Sequence, residues 1–187
     1  MSKKEALSIF DMFKIGVGPS SSHTLGPWKA ALQFVQSINE LNTVTKVVID
    51  LYGSLAKTGK GHGTDIAVQM GLMGELPETF DTSSLSRLIE GIKTNEKLVL
   101  NTSHTVSFQP ETDIIFHMKE SLPFHPNALR FTAYNGSVTV ATDVYYSIGG
   151  GFVVREAENA ETSVPLKILN YGNHDSDDLL QNCMLAG

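Results

Sequence analysis

The pattern of hydrophobic and polar positions indicates helices in the first half of the chain and strands in the second. Apolar side chains recur at i, i+3, i+4 and i+7 from Ala31, which predicts a helix with one apolar face beginning near Ser22 or His23. A β-rich run at residues 45–52 predicts a strand. Two further helices are predicted at residues 66–73, capped by Thr64 and Asp65 and ended by Gly71 and Gly74, and at residues 83–92, capped by Ser83 or Ser84.

Short β-rich segments follow, at residues 97–100, 104–108, 114–118, 129–134, 137–146 and 152–155. Asn135 and Gly136 separate two of these segments and form a strong hairpin signal. Helices followed by strands predict an α+β domain with helices packed on one face of a mainly antiparallel sheet.

The chain also suggests a division into domains. Residues 1–156 carry the patterned elements and are expected to form the first domain. Residues 157–174 are polar and typical of a linker, and residues 175–187 predict the start of another helix. We interpret that helix as the beginning of a further domain.

Composition excludes several classes of function. The chain has 187 residues, is 41% hydrophobic and carries a formal charge of −6, so it can bury a core but offers no basic patch for nucleic acid. No apolar run reaches the length of about 18–20 residues that spans a membrane. The N-terminal residues lack the apolar stretch of a signal peptide, so a cytoplasmic location is expected.

The cysteine content limits the metal chemistry of this chain. Cys183 is the single cysteine, which excludes an internal disulfide framework and a cysteine-based zinc site. A self-contained iron–sulfur cluster, which needs several thiolates, is excluded for the same reason. The histidines lack helical metal spacing, so no metal site is expected within the chain.

A glycine-rich segment at residues 16–31, GVGPSSSHTLGPWKAA, precedes the first predicted helix. Main-chain N–H groups and the positive end of the helix dipole would favour a small carboxylate or phosphate there. The alternative is a well-capped helix start, since serine and threonine are common caps. The candidate binding residues are Ser20, Ser21, Ser22, His23 and Thr24.

A second segment at residues 52–72, YGSLAKTGKGHGTDIAVQMGL, resembles a phosphate-binding P-loop. The spacing fails the P-loop pattern, because five residues separate Gly53 from Gly59 and Lys60 is followed by glycine instead of Ser or Thr. A flexible loop presenting a binding site remains, and a turn with solvated lysines is the alternative. The candidate residues are Lys60, His62, Thr64 and Asp65.

A third segment at residues 145–152, YYSIGGGF, contains three consecutive glycines between β-rich flanks. Such glycines permit a backbone to approach a ligand or a neighbouring domain. They are equally typical of a bulge or a tight corner in a sheet.

Four motifs in order, SIFDMFKIGVGPSSSHT, YGSLAKTGKGHGTDIAVQMGL, AYNG and YYSIGGGFVV, resemble the β domain of bacterial iron–sulfur-dependent L-serine dehydratase (L-serine ammonia-lyase). The resemblance covers roughly residues 7–165. It implies conversion of L-serine to pyruvate and ammonia without pyridoxal phosphate, by an enzyme whose [4Fe–4S] cluster is bound by cysteines of a larger α domain. It also implies a fold like the allosteric substrate-binding domain of some phosphoglycerate dehydrogenases.

With this reaction in view, we assign roles to the candidate residues as a hypothesis. His62 would be the base that reaches the active site from the β domain, and residues 20–24 would bind the serine carboxylate, either at the catalytic interface or at a separate activating site. Lys60, Thr64 and Asp65 are secondary candidates. The implied partners are an α domain or chain, L-serine and a second copy in a homodimer.

Residues 178–184 resemble the beginning of that α domain, and the rest of it does not follow in this sequence. We therefore expect a piece of a single-chain dehydratase that is inactive alone. The alternative is a stand-alone amino-acid-binding regulatory module.

Overall fold

The structure, a computed structural model, describes residues 18–159. Most of the predicted linker and the whole of the predicted helix at residues 175–187 lie outside this range. The described helices are α1 (Gly26–Ser37), α2 (Gly53–Thr58), α3 (Thr64–Leu72), α4 (Leu85–Asn95), α5 (Pro110–Asp113) and α6 (Glu156–Asn159). A π-helical turn (Ser21–Leu25) precedes α1, and 3-10 turns occupy Leu41–Thr43, Gly59–His62 and Thr82–Ser84.

The strands form one seven-stranded sheet. They are β1 (Lys46–Tyr52), β2 (Lys97–Leu100), β3 (His104–Ser107), β4 (Ile114–His117), β5 (Ala128–Asn135), β6 (Val138–Gly149) and β7 (Phe152–Arg155). Their order is β2-β3-β1-β5-β6-β7, and β4 pairs with β1. Strand β1 runs parallel to β3 and β4, and the other pairs are antiparallel. The predicted α+β class and mainly antiparallel sheet are therefore confirmed.

The core lies between the helices and one face of the sheet. Alternate residues of β1, Val47, Ile49 and Leu51, are fully buried in this core. Phe34 of α1 stacks on Phe131 of β5, with ring centroids 5.1 Å apart. The helical periodicity from Ala31 is confirmed, because its apolar positions are all buried.

Helices α1 and α3 pack closely in this core. A Cβ atom on Gly71 of α3 would fall against the carbonyl oxygen of Trp28 and 2.7 Å from the Cβ of Ala31. Gly71 lies within α3, which ends at Leu72, so the prediction that Gly71 ends the helix is wrong. Its lack of a side chain allows the close contact with α1. Gly74, with φ of 87°, does follow the end of α3.

Two predicted helix starts also differ from the structure. Helix α3 follows Gly63, a left-handed residue at φ of 68°, and the hydroxyl of Thr64 is used elsewhere instead of capping the helix. The third predicted helix is α4. It is preceded by the 3-10 turn Thr82–Ser84, which is capped by Asp81, whose side chain accepts from the N–H of Ser83. The assignment of Thr64 and Asp65 as caps is wrong, because Gly63 occupies the N-cap position of α3. Ser84 does stand at the N-cap position of α4, but its hydroxyl donates to the Asp81 carbonyl oxygen instead of capping that helix.

The hairpin and the strands follow the sequence closely. Asn135 ends β5, Gly136 has φ of 58°, and β6 begins at Val138. Strand β6 runs three residues further than predicted, to Gly149. None of the helices within residues 18–159 combines the length and apolar character needed to span a bilayer.

Candidate functional site

The first glycine-rich segment is a helical turn anchored to the sheet. Ser20 caps the turn, because its Oγ accepts from the N–H of His23 at 3.2 Å. Ser147, fully buried on β6, donates its hydroxyl to the carbonyl oxygen of Ser22 at 2.7 Å. Gly26 has no space for a Cβ atom, which would overlap the Ser147 side chain. The turn therefore lies against the sheet near the C-terminal end of β6.

The second glycine-rich segment is ordered helix, not the flexible loop that its composition predicts. Helix α2 continues directly into the 3-10 turn Gly59–His62, and Gly63 reverses the chain into α3. The start of α2 is held by two main-chain bonds, from Gly53 N–H to the Glu120 carbonyl and from Ser54 N–H to the Pro126 carbonyl, both at 2.8 Å. Gly53 adopts φ of 55°, which allows this sharp change from strand to helix.

These two segments bring a pair of histidines together. The ring centroids of His23 and His62 lie 5.0 Å apart, with the planes at 41°. Thr24 donates its hydroxyl to the carbonyl oxygen of His62 at 2.8 Å, and Thr64 donates to the carbonyl oxygen of His23. Each threonine is thus bonded to the main chain of the histidine on the opposite segment.

The hydrogen bond of His62 defines its free nitrogen. Its Nδ1 lies 2.9 Å from the carbonyl oxygen of Thr58. A carbonyl oxygen can only accept, so Nδ1 must carry the proton. In the neutral ring the lone pair is therefore on Nε2, and the half-buried side chain leaves that atom suited to accept a proton from a bound molecule.

His23 is held differently, with a hydroxyl at each ring nitrogen. Its Nδ1 lies 2.9 Å from Ser22 Oγ and its Nε2 lies 3.0 Å from Ser54 Oγ. Burial, and then the proximity of His62, lower the pKa of His23, while a hydrogen bond with Ser54 acts in the opposite direction. His23 is therefore held as an uncharged ring near neutral pH.

The remaining candidate residues are spread around the pair. Ser21 is exposed on the turn, and Asp65 is half-buried in the first turn of α3. Lys60 is exposed, and its Nζ lies 5.1 Å from the ring centroid of Phe116. Within residues 18–159, no hydrogen bond joins Ser21, Lys60 or Asp65 to either histidine. The structure thus connects most of the predicted residues to the histidine pair by hydrogen bonds, whereas these three lie around the pair without such a bond.

Ser54 is the residue that the sequence reasoning missed. It contacts His23 across 31 residues of sequence. A signal was present, because Ser54 follows a buried strand and a glycine at the start of a helix. That position often carries polar groups of a site.

The three glycines at residues 149–151 form the tight turn between β6 and β7. All three have positive φ, and the strand register shifts between Ser147 and Gly149. A Cβ on Gly151 would lie 2.6 Å from the Leu25 side chain. The structural interpretation of this segment is confirmed. The turn also packs against Leu25, the last residue of the π-helical turn Ser21–Leu25, called the serine-rich turn below.

A second group of ionisable side chains lies on the sheet face opposite the main core. The buried carboxylate of Asp50 accepts from Arg130, at 3.1 and 3.2 Å, and lies 2.6 Å from Nε2 of His117. His117 stacks on Tyr52, with ring centroids 4.6 Å apart. Among the described residues, no group of three or more His, Cys, Asp and Glu could hold a metal ion.

The fold and site define an α+β domain in which polar groups of two glycine-rich segments converge on two histidines. The chain belongs to the serine dehydratase β-chain family, whose model, described as "Serine dehydratase beta chain", matches residues 8–158.

Three relatives show how much of a longer protein this chain represents. It is 45% identical to L-serine dehydratase 2 of Escherichia coli over 186 residues, which cover 97% of this chain and 40% of the relative. It is 42% identical over 182 residues to the L-serine dehydratase of Streptomyces coelicolor, covering 94% and 40%. Identity to the L-serine dehydratase of Helicobacter pylori is 40% over 182 residues, covering 95% and 40%. The chain therefore spans about 40% of the length of these relatives.

Proposed function

We propose that this chain is the β-domain part of an L-serine dehydratase and supplies the base and part of the amino-acid pocket. The supporting observation is the pairing of His62, whose Nε2 is left to accept a proton, with His23, which is held uncharged beside it. The names of the relatives support L-serine as the substrate.

His62 is proposed as the base for the α-proton. Its Nε2 takes the proton from the α-carbon, the electron pair forms the Cα–Cβ double bond, and the hydroxyl group leaves the β-carbon as hydroxide. The hydroxide and the proton released again by His62 together make one molecule of water. The resulting aminoacrylate becomes an imine, which water hydrolyses to pyruvate and ammonium. The bond from Nδ1 to the Thr58 carbonyl keeps the ring in the tautomer that this step needs.

The serine-rich turn is proposed to bind the substrate carboxylate. Ser21 is exposed, Ser20 and Ser22 are half-buried, and all three lie in the first turn of a helical segment whose N–H groups favour an anion. Thr24 and Thr64 are buried and donate to main-chain carbonyls, so we assign them to holding the two segments together. Lys60 and Asp65 remain secondary candidates at the margin of the pocket.

The cofactor and the partner are proposed on the family alone. The described residues offer no site that would fit a [4Fe–4S] cluster, and the single cysteine, Cys183, lies outside them. We therefore propose that an α domain, corresponding to the part of the relatives that this chain does not span, provides the cluster ligands. No step above is assigned to the cluster.

A chimeric enzyme tests this function. This chain would replace the corresponding 40% of E. coli L-serine dehydratase 2, to which it is 45% identical, and pyruvate formation from L-serine would be followed without oxygen. His62→Asn is expected to lower kcat/KM by about 100-fold or more, the range for removal of a general base. The matched control is His125→Asn, which makes the same change in a turn where His125 Nδ1 accepts from the Asn127 N–H.

The outcomes separate the proposal from its alternative. An active chimera that loses activity with His62→Asn but keeps it with His125→Asn supports the proposal. Full turnover by the His62→Asn chimera would contradict it. Calorimetric binding of L-serine to this chain, together with an inactive chimera, would instead favour an amino-acid-binding regulatory module.

A further inference from the structure

The hydroxyl of Ser54 contacts the ring of His23. The side-chain Oγ lies 3.0 Å from His23 Nε2, on the ring side opposite Ser22. Serine hydroxyls in helices usually bond to the preceding turn of the same helix. Here the described contact of the hydroxyl is the imidazole of a distant segment, so its effect falls on the site.

The main chain holds Ser54 firmly in that place. Its N–H donates to the Pro126 carbonyl at 2.8 Å, and its carbonyl oxygen accepts from the Thr58 hydroxyl at 3.0 Å. Gly53, immediately before it, has φ of 55° and packs so closely on Pro126 that a Cβ would overlap the Pro126 carbonyl oxygen. Ser54 is fixed because it lies between the end of a strand and the start of a helix. A side chain with so little freedom of its own can hold a partner in one orientation.

The two histidines depend on this orientation in different ways. His62 is tied to its own segment through Thr58, so its ring is set locally. The His23 ring has one hydroxyl partner on its own turn, Ser22, and one on the opposite segment, Ser54. Among the described residues, the Ser54 contact is the hydrogen bond that joins the His23 ring to the segment that carries His62.

We propose that Ser54 is a positioning residue that orients the imidazole of His23 toward His62 through a hydrogen bond at Nε2. A hydroxyl can donate to or accept from a neutral imidazole, so the bond persists whichever nitrogen carries the proton. The chemistry attributed to the histidine pair rests on the proposed function above. The orientation itself is a property of this chain and can be measured without turnover.

Nitrogen-15 NMR of the histidine side chains tests the orientation in the 187-residue chain. In the wild type, the His23 Nε2 resonance is expected to have the shift of a hydrogen-bonded ring nitrogen. In Ser54→Ala, the His23 Nε2 resonance is expected to move toward the averaged value of a free imidazole, while the resonances of His117 stay unchanged. Ser54→Thr, which keeps the hydroxyl, is expected to restore the wild-type shifts.

Ser121→Ala is the matched control. Ser121 is exposed and its Oγ also lies beside Gly53, so the same atom is removed near the start of α2 without touching His23. A wild-type His23 Nε2 shift equal to that of a free imidazole would overturn the proposal without any variant. Unchanged His23 shifts in a folded Ser54→Ala chain would overturn it as well.

The chimeric enzyme adds a second, independent readout. Ser54→Ala is expected to lower kcat about tenfold with KM changed less than about twofold, the loss expected from one hydrogen bond of about 1.4 kcal/mol. Ser54→Thr is expected to retain most of kcat. An inactive wild-type chimera would count against the proposed function only, because the NMR result decides the role of Ser54 by itself.

Discussion

Thr64 donates its side-chain hydroxyl to the carbonyl oxygen of His23, across 41 residues of sequence. The reciprocal bond, from Thr24 to the carbonyl oxygen of His62, spans 38 residues. Both threonines are buried, so water does not replace either bond easily. This crossed pair holds the main chains that carry the two histidines at a fixed separation.

Removing the crossed bonds should loosen the two segments together. Thr64→Val and Thr24→Val keep the side-chain shape but lose the donor, and each is expected to lower the free energy of unfolding by about 1–2 kcal/mol. Because both bonds join the same segments, the double variant should differ from the sum by about 0.5 kcal/mol or more. Urea unfolding of the four chains measures this coupling.

Thr43→Val provides the control for the threonine variants. Thr43 donates its hydroxyl to Glu40 within one exposed turn and joins no distant segments. Its loss is expected to cost less than about 0.5 kcal/mol. Strict additivity of Thr24→Val and Thr64→Val would contradict the idea that the two bonds act as one clamp.

The pH dependence of stability should report on His23. Its pKa is lowered in the folded chain, chiefly by burial and then by His62, so the unfolded chain binds the proton more readily. Stability associated with neutral His23 is therefore complete above the unfolded pKa, about 6.5, and is lost as the pH falls below that value. Urea unfolding at pH 7.5 and 5.5 should show this loss in the wild type.

His23→Gln should remove that part of the pH dependence, since glutamine does not titrate. The other histidines are present in both chains, so the difference between the two chains reports on the residue at position 23. An equal fall in stability between pH 7.5 and 5.5 in both would contradict the assignment of His23 as a ring held uncharged by its surroundings.

The two glycine-rich segments and the strand pattern could be predicted from the sequence because they depend on residues close together in the chain. Positive φ at Gly136 and the alternation along β1 follow from neighbouring residues. The contact between Ser54 and His23 depends on how distant segments pack, and no local pattern specifies it. The sequence predicts a flexible loop at residues 53–63, where the structure has helical turns, for a related reason. Its glycines suggest flexibility, but Gly53 packs against Pro126 and Gly59 packs against Thr64.

The carboxylate of Asp50 should contribute more to the free energy of unfolding than an exposed ion pair does. Asp50 is 7% exposed and is bonded to both Arg130 and His117. Asp50→Asn keeps the size but removes the charge, and is expected to lower the free energy of unfolding by about 1–3 kcal/mol. Denaturant unfolding at neutral pH measures the change.

The control for Asp50 is Glu111→Gln. Lys93 Nζ and Glu111 Oε1 lie 3.8 Å apart, and both side chains are more than 60% exposed. Solvent screening limits such a pair, so the expected change is below about 0.5 kcal/mol. An equal loss of unfolding free energy in Asp50→Asn and Glu111→Gln would show that the buried carboxylate contributes no more to stability than the exposed one.

Two helical glycines give opposite predictions for the same substitution. Gly71→Ala would place a Cβ against Trp28 and Ala31 and force α1 away from α3, so it is expected to lower the free energy of unfolding by about 1–3 kcal/mol. Gly91, in α4, has nothing within 4 Å of the same atom, and Gly91→Ala should stabilise the chain by about 0.5–1 kcal/mol through helix propensity. Thermal and urea unfolding of both variants test the sign. A stabilised Gly71→Ala chain would contradict the close contact between α1 and α3.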